Sequence, residues 1–176
     1  MKRIFLVGYM GSGKTTLGMI LAQEKGWTFI DLDWYVEERF HKSVQQLFRE
    51  KGEDGFRELE RLMLHEVGDF EEVVISAGGG TPCFFDNMEY MNSRGETVFL
   101  QAKPETLFER LRTAKTKRPL LVMKKTDEEL RDFIVSGLNK REIFYAKAKH
   151  RFPSDELESH EQIVASARKL AELLNI

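Results

Sequence analysis

The chain has 176 residues, of which 41% are hydrophobic and 32% charged. At about 1.2 nominal domain lengths it can bury one core, which excludes both disorder throughout and two full-sized domains. Twenty-seven Lys and Arg against 29 Asp and Glu leave a net charge of −2 with the signs interspersed, an argument against nucleic acid as a partner but not against small anionic substrates. The single thiol, Cys83, rules out an intrachain disulfide and a cysteine-rich zinc site, and His41, His65, His150 and His160 match no metal-ligand spacing. The first apolar run, residues 4–7, is too short for a signal peptide or a membrane span, so a cytoplasmic protein with no membrane association is expected.

Ile4-Phe5-Leu6-Val7 ends at Gly8 and reads as a buried, central strand. Leu17, Ile20 and Leu21 recur at helical spacing and Gly26 stops them, which predicts a helix over 14–25. Residues 27–30 form a second strand ending in Asp31-Leu32-Asp33. A mostly helical insertion then runs from Val36 to about Val67, broken near Lys51-Gly52, with Ser43 and Gln46 spaced as a capping box. Val73-Val74-Ile75 is a third strand closing on Gly78-Gly79-Gly80, and residues 97–100 are a fourth. Pro104 opens a helix at its first turn, where a missing N–H costs nothing. Residues 112–124 have no apolar periodicity and read as a mobile lid. Thr126 with Glu129 caps a helix reaching about Lys147, Arg151-Phe152 is a short fifth strand, and Ser159 with Gln162 caps the terminal helix. This β-α alternation predicts one α/β domain over 1–176, three layers deep, around a parallel sheet. No long heptad or apolar stripe demands a partner, so a monomer is expected.

Gly8-Tyr9-Met10-Gly11-Ser12-Gly13-Lys14-Thr15 fits G-x-x-x-x-G-K-[ST] at every fixed position and lies between a strand and a helix, where a phosphate-binding loop must lie. Its glycines let successive N–H groups turn inward around phosphate, Lys14 reaches the β- and γ-phosphates, and Thr15 offers its hydroxyl to Mg²⁺. A glycine turn that binds nothing would not need a lysine followed by a hydroxyl at the helix start. Tyr9 and Met10 read as filler. The loop alone says nucleoside triphosphate; no N-K-x-D sequence is present to read guanine.

Asp31 and Asp33 stand at the carboxyl end of a parallel strand, where one can serve a metal and the other an acceptor hydroxyl. Asp33 could equally be the N-cap of a helix starting at Trp34. The triple glycine could admit a small molecule to backbone N–H groups or be only a tight turn. Arg57 and Glu60, three apart on a predicted helix, could form a carboxylate clamp or an ordinary solvated pair, and Arg141 is ambiguous by itself. The basic stretch from Arg112 to Arg118 suits a lid over triphosphate, or a solvated loop. Cys83 reads as a small packed or turn residue.

Taken together, these features resemble the shikimate kinases over most of the chain. The family pattern is a G-x-x-G-x-G-K-[ST] loop, D-x-D, F-R-x-x-E, G-G-G, R-P-L and a later arginine. Here these are Gly8 to Thr15, Asp31-Leu32-Asp33, Phe56-Arg57-Glu58-Leu59-Glu60, Gly78 to Gly80, Arg118-Pro119-Leu120 and Arg141. The resemblance implies a three-layer α/β/α P-loop kinase fold with five parallel strands, a helical substrate-binding insertion over about 33–67 and the lid. It implies ATP-dependent phosphorylation of the 3-hydroxyl of shikimate, a step of aromatic amino acid biosynthesis. By the same resemblance Gly11, Ser12, Gly13, Lys14, Thr15 and Thr16 hold ATP, with Arg112 against the adenine and Arg118 reaching the transferring phosphoryl group. Thr15 and, through water, Asp31 hold Mg²⁺. Asp33 orients or deprotonates the hydroxyl, Arg57 and Arg141 clamp the carboxylate, Gly79 donates its N–H, Glu60 orients Arg57, and Phe48 and Phe56 wall the pocket. A gluconate kinase, a nucleoside monophosphate kinase and a non-catalytic nucleotide-binding module are the competing readings. Two arginines suit a carboxylate acceptor better than an uncharged sugar.

Overall fold

A computed structural model describes residues 2–114 and 126–176 of the chain. Five strands, β1 (Arg3–Val7), β2 (Thr28–Asp31), β3 (Val73–Ser76), β4 (Glu96–Gln101) and β5 (His150–Pro153), form a sheet of order β2-β3-β1-β4-β5 in which every pairing is parallel. β1 is buried at all five positions, as expected of a strand covered on both faces. The helices are α1 (Lys14–Lys25), α2 (Leu32–Phe40), α3 (Val44–Val67), α4 (Asn87–Arg94), α5 (Pro104–Thr113), α6 (Asp127–Tyr145) and α7 (His160–Leu173). A 3₁₀ turn, Thr81–Cys83, follows the triple glycine.

Strand alternation divides the core in two. Ile4, Leu6, Val74, Val98 and Leu100 face α1 and α7, meeting Leu17, Leu21, Ala167 and Leu170. Phe5, Val7, Val73, Ile75 and Phe99 face the opposite way, toward buried residues of α2 to α6. These are the three layers of an α/β/α sandwich. The chain moves from β1 outward to β2 and β3 on one side and crosses to β4 and β5 on the other. The reversal opens a crevice at the carboxyl ends of the strands, and the phosphate loop hangs over it.

All three expected capping boxes are formed, at Ser43, Thr126 and Ser159. The expected break in the insertion is a kink at Gly52, with φ 69° and ψ 178°. Two features depart from expectation. α2 begins at Leu32, directly off β2, so its N-cap is Asp31 and not Asp33. α4 and the 3₁₀ turn were not foreseen, because only Met88 and Met91 supply α4 with buried apolar side chains; the buried Asn87 amide ties it instead to the Thr81 carbonyl at 2.9 Å. The expected lid over 112–124 lies mostly outside the described residues, and its first two residues, Arg112 and Thr113, belong to α5.

Leu17 is fully buried where α1 meets the sheet and α7. Leu17→Ala should lower unfolding free energy by about 3 kcal/mol, measured by urea denaturation; a loss below about 1 kcal/mol would show that this face of the core collapses readily around a void.

Candidate active site

Gly13 ends the phosphate loop as the N-cap of α1 with φ 97°, a left-handed conformation that a side chain would strain. The turn releases the first N–H groups of α1 toward the crevice, where their partial positive charge favours phosphate. Lys14 is 9% exposed, and its Nζ donates to the carbonyls of Gly8 at 2.8 Å and Tyr9 at 3.0 Å, so the ammonium lies across the loop. A cleft of about 400 Å³ opens in front of it. Gly11, Gly13, Lys14, Thr15, Thr16, Asp31, Asp33, Gly78 and Gly79 all line this cleft. Ser12 is buried beneath, its hydroxyl without a hydrogen-bond partner among the described residues.

The Asp31 carboxylate divides its oxygens. Oδ2 accepts from Thr15 Oγ1 at 2.9 Å, while Oδ1 accepts the backbone N–H groups of Asp33 at 3.0 Å and Trp34 at 3.3 Å. One oxygen thus faces the phosphate loop and the other caps α2, leaving the Asp33 carboxylate to the cleft. No cluster of three or more His, Cys, Asp or Glu suited to a metal occurs among the described residues. The Thr15 hydroxyl and Asp31 carboxylate instead make a sparse set of hard oxygens, which fits Mg²⁺ because that ion takes one or two protein ligands and completes its shell with phosphate and water.

A second cluster, against the glycine turn that borders the cleft, is built around Glu60, 1% exposed. Glu60 accepts from Arg57 Nη1 at 3.0 Å and from Thr81 Oγ1 at 2.8 Å. Burial pushes its carboxyl above the usual carboxylate range, against the opposing pull of Arg57 and Thr81. The Arg57 guanidinium lies among aromatic rings, 5.6 Å from Phe48, 5.4 Å from Phe56 and 4.2 Å from Phe84, and its buried Nε has no hydrogen-bond partner among the described residues. Phe48 and Phe56 stack at 4.3 Å. A Cβ on Gly80 would stand 2.5 Å from Arg57 Nη2, so the bare glycine is what lets the guanidinium approach. From α6, Arg141 reaches the same turn: its Nη1 is 3.5 Å from where a Cβ on Gly79 would stand, and it lies 5.6 Å over the Tyr9 ring. Tyr9, expected to be filler, is 2% exposed and part of the core. Cys83 sits half-buried in the 3₁₀ turn, its thiol pushed up by burial although Arg141 and Arg57 pull it down.

At the opposite rim, two arginines of α5 stand on different faces of the helix. Arg112 does not line the cleft; its guanidinium turns to Glu109 at 2.8 Å and Asp127 at 3.8 Å on the exposed side of α5. Arg110 takes the inner position. It donates to the carbonyls of Gly11 at 3.2 Å, Ser154 at 2.8 Å and Asp155 at 3.0 Å, and pairs with Glu158 at 3.0 Å. Helical phase separates the two: two residues along a helix is about 200°, nearly the opposite face. Arg118 lies outside the described residues.

A family model described as shikimate kinase matches residues 10–172. The shikimate kinase of Phocaeicola vulgatus is 66% identical over 175 residues, 99% of each chain. The chain belongs to the shikimate kinase family. The shikimate kinase of Persephonella marina is 40% identical over 164 residues, covering 93% of this chain and 95% of that one. Among solved structures, a shikimate kinase from Bacteroides thetaiotaomicron superposes with a TM-score of 0.97 at 60% identity, covering 99% of both chains. A shikimate kinase from Acinetobacter baumannii in complex with shikimate gives 0.83 at 30% identity, covering 99% of this chain and 93% of that one. A gluconokinase from Sinorhizobium meliloti, with a TM-score of 0.60 at 19% identity, shares the fold alone. As a shikimate kinase family member the chain is a phosphotransferase that uses ATP, and the five-stranded P-loop kinase fold is the expected one. No described helix is long and apolar enough to cross a membrane.

Removing the inner guanidinium should loosen the 154–155 loop from the phosphate loop. Arg110→Ala is expected to raise the KM for ATP about tenfold and Arg112→Ala to change it less than about twofold, because only the first loses buried-side hydrogen bonds. Steady-state kinetics at saturating acceptor checks this, and the reverse order would make Arg112 the arginine that serves the nucleotide.

Proposed function

We propose that the protein transfers the γ-phosphoryl group of ATP to the 3-hydroxyl of shikimate. The observation that carries this reading is the juxtaposition at one glycine turn of Asp33, Arg57 and Arg141 beside a complete phosphate loop. The triphosphate would lie along the N–H groups of residues 11–16 with Lys14 on its β- and γ-phosphates. Arg57 and Arg141 would hold the acceptor carboxylate, assisted by the Gly79 N–H. Arg57 suits this role because Glu60 accepts from its Nη1 and so orients the guanidinium, while Nη2 lies against Gly80 of the glycine turn. The acceptor hydroxyl would then face Asp33. As the bond from that oxygen to the γ-phosphorus forms and the bond to the leaving β-phosphate oxygen breaks, Asp33 takes the hydroxyl proton. Thr15 and, through water, Asp31 would hold Mg²⁺, whose charge neutralises the β- and γ-phosphate oxygens. Arg118, from the lid, would meet the charge on the transferring group. Every named group comes from one chain, in keeping with an active monomer, and the proposed setting is the cytoplasm.

A coupled ADP-release assay with ATP and Mg²⁺ should show turnover with shikimate and none with gluconate or a nucleoside monophosphate; release only with another acceptor would overturn the substrate. Asp33→Asn should lower kcat by about a thousandfold while leaving ATP affinity within about twofold. Arg57→Ala should raise the acceptor KM at least about tenfold, the loss of a charge-assisted contact. An unaltered acceptor KM in Arg57→Ala would make Arg57 and Glu60 a structural pair only.

A further inference from the structure

Gly79 carries a contact that neither the phosphate loop nor the arginine pair uses. Tyr145, the last residue of α6, is fully buried and places its hydroxyl 2.5 Å from the Gly79 carbonyl oxygen. A carbonyl only accepts, so the phenol donates. Burial holds that phenol far above its ordinary range, against the opposing pull of the neighbouring Arg141 guanidinium, and it keeps its proton. Its ring is seated against Phe99 of β4 at 5.3 Å, so the hydroxyl is aimed from a rigid floor. The same face of α6 carries Arg141 one turn earlier and Gly137 one turn before that. Gly137 abuts the Tyr9 hydroxyl and Arg141 abuts Gly79, so this one helix is registered against both the phosphate loop and the glycine turn.

The consequence lies in the peptide between Gly79 and Gly80. Two successive glycines have the widest backbone freedom of any pair, and nothing in their own sequence holds that peptide in one orientation. No cis peptide bond occurs among the described residues, so the N–H of Gly80 points opposite to the Gly79 carbonyl. A donor that pins the carbonyl toward α6 therefore pins the N–H away from it, and sets where Gly79 presents its α-carbon to Arg141. We infer that Tyr145 is a positioning residue for the acceptor site: its hydroxyl locks the Gly79–Gly80 peptide so that the turn and Arg141 meet shikimate in a single arrangement. This rests on the shikimate reading above.

The test is Tyr145→Phe, which keeps the ring and removes only the hydroxyl that faces Gly79 and Arg141, alongside Phe99→Leu, which loosens the same packing and leaves the hydroxyl. Calorimetric titration with shikimate should give a Kd about tenfold weaker for Tyr145→Phe, with the KM for shikimate rising in parallel. Its kcat should fall no more than about threefold and its KM for ATP move less than about twofold, since the phosphate loop is untouched. Phe99→Leu should lower the thermal midpoint while keeping shikimate affinity within about twofold. An unchanged shikimate Kd in Tyr145→Phe overturns the inference. So does an equal loss of affinity in Phe99→Leu, or a parallel rise in both KM values, either of which would make the residue a packing element. Wild-type protein that binds ATP but not shikimate would remove the substrate reading itself, an outcome distinct from the others.

Discussion

The site depends on how one carboxylate spends its two oxygens. Asp31 ends a strand and starts a helix with no intervening loop, so its side chain meets the first unsatisfied N–H groups of α2 on one side and the start of α1 on the other. An uncapped helix start would leave orphan donors at the rim of the crevice, at a cost of about 1 kcal/mol. Capping by Asp31 removes that cost and also sets the direction in which α2 leaves the sheet. Asp33, two residues on, inherits its position over the cleft from this bond. The oxygen that reaches Thr15 joins the same aspartate to the phosphate loop, so the group proposed to serve the metal and the group proposed to serve the acceptor are held by a single residue.

The acceptor end is governed by a different constraint, the burial of charge. Glu60 is almost wholly desolvated, which is unfavourable for an ionised carboxylate unless its lone pairs are met. Arg57 and Thr81 meet them, and that arrangement makes the guanidinium a fixed rather than a searching cation. Three phenylalanine rings surround Arg57 and limit the directions its guanidinium can take, while Glu60 and the more exposed Glu53 pair with its charge. Thr81 belongs to the 3₁₀ turn directly after the triple glycine and is tied in turn to α4 through Asn87. The glycine turn is thus clamped from both directions, by Thr81 and Glu60 on the α3 side and by Tyr145 on the α6 side.

The two faces of the sheet carry unequal duties. α1 and α7 seal one face with aliphatic side chains and present nothing to the acceptor. The opposite face carries α2, α3 and α6, which supply Asp33, Arg57 and Arg141, so the groups proposed to meet the acceptor converge from helices packed on one side of a common sheet. Such convergence places the chemistry on regular elements, where side-chain positions are better held than on loops.

The order of the strands and helices, the phosphate loop and the three capping boxes were legible in the sequence because each depends on residues close together in the chain. Alternating apolar runs mark strands, S-x-x-Q and T-x-x-E mark helix starts, and the loop needs its glycines and lysine in consecutive positions. The family-bearing residues Asp33, Arg57, Gly79 and Arg141 were legible as types at spacings. What tertiary structure alone decided were contacts between distant segments. Tyr145 and Gly79 are 66 residues apart, Arg110 and Ser154 are 44 apart, and no local pattern distinguishes these side chains from ordinary core or surface residues. That Arg110 rather than Arg112 ties the phosphate loop to the 154–155 loop follows from helical phase, which the lack of apolar periodicity after Leu111 had hidden. Asp31 rather than Asp33 became the cap because the helix starts two residues before Trp34, a boundary set by where β2 stops pairing with β3. Composition and spacing determine which chemistry the chain can perform; the packing of α6 and α5 against the loops decides which tyrosine and which arginine hold those loops in place.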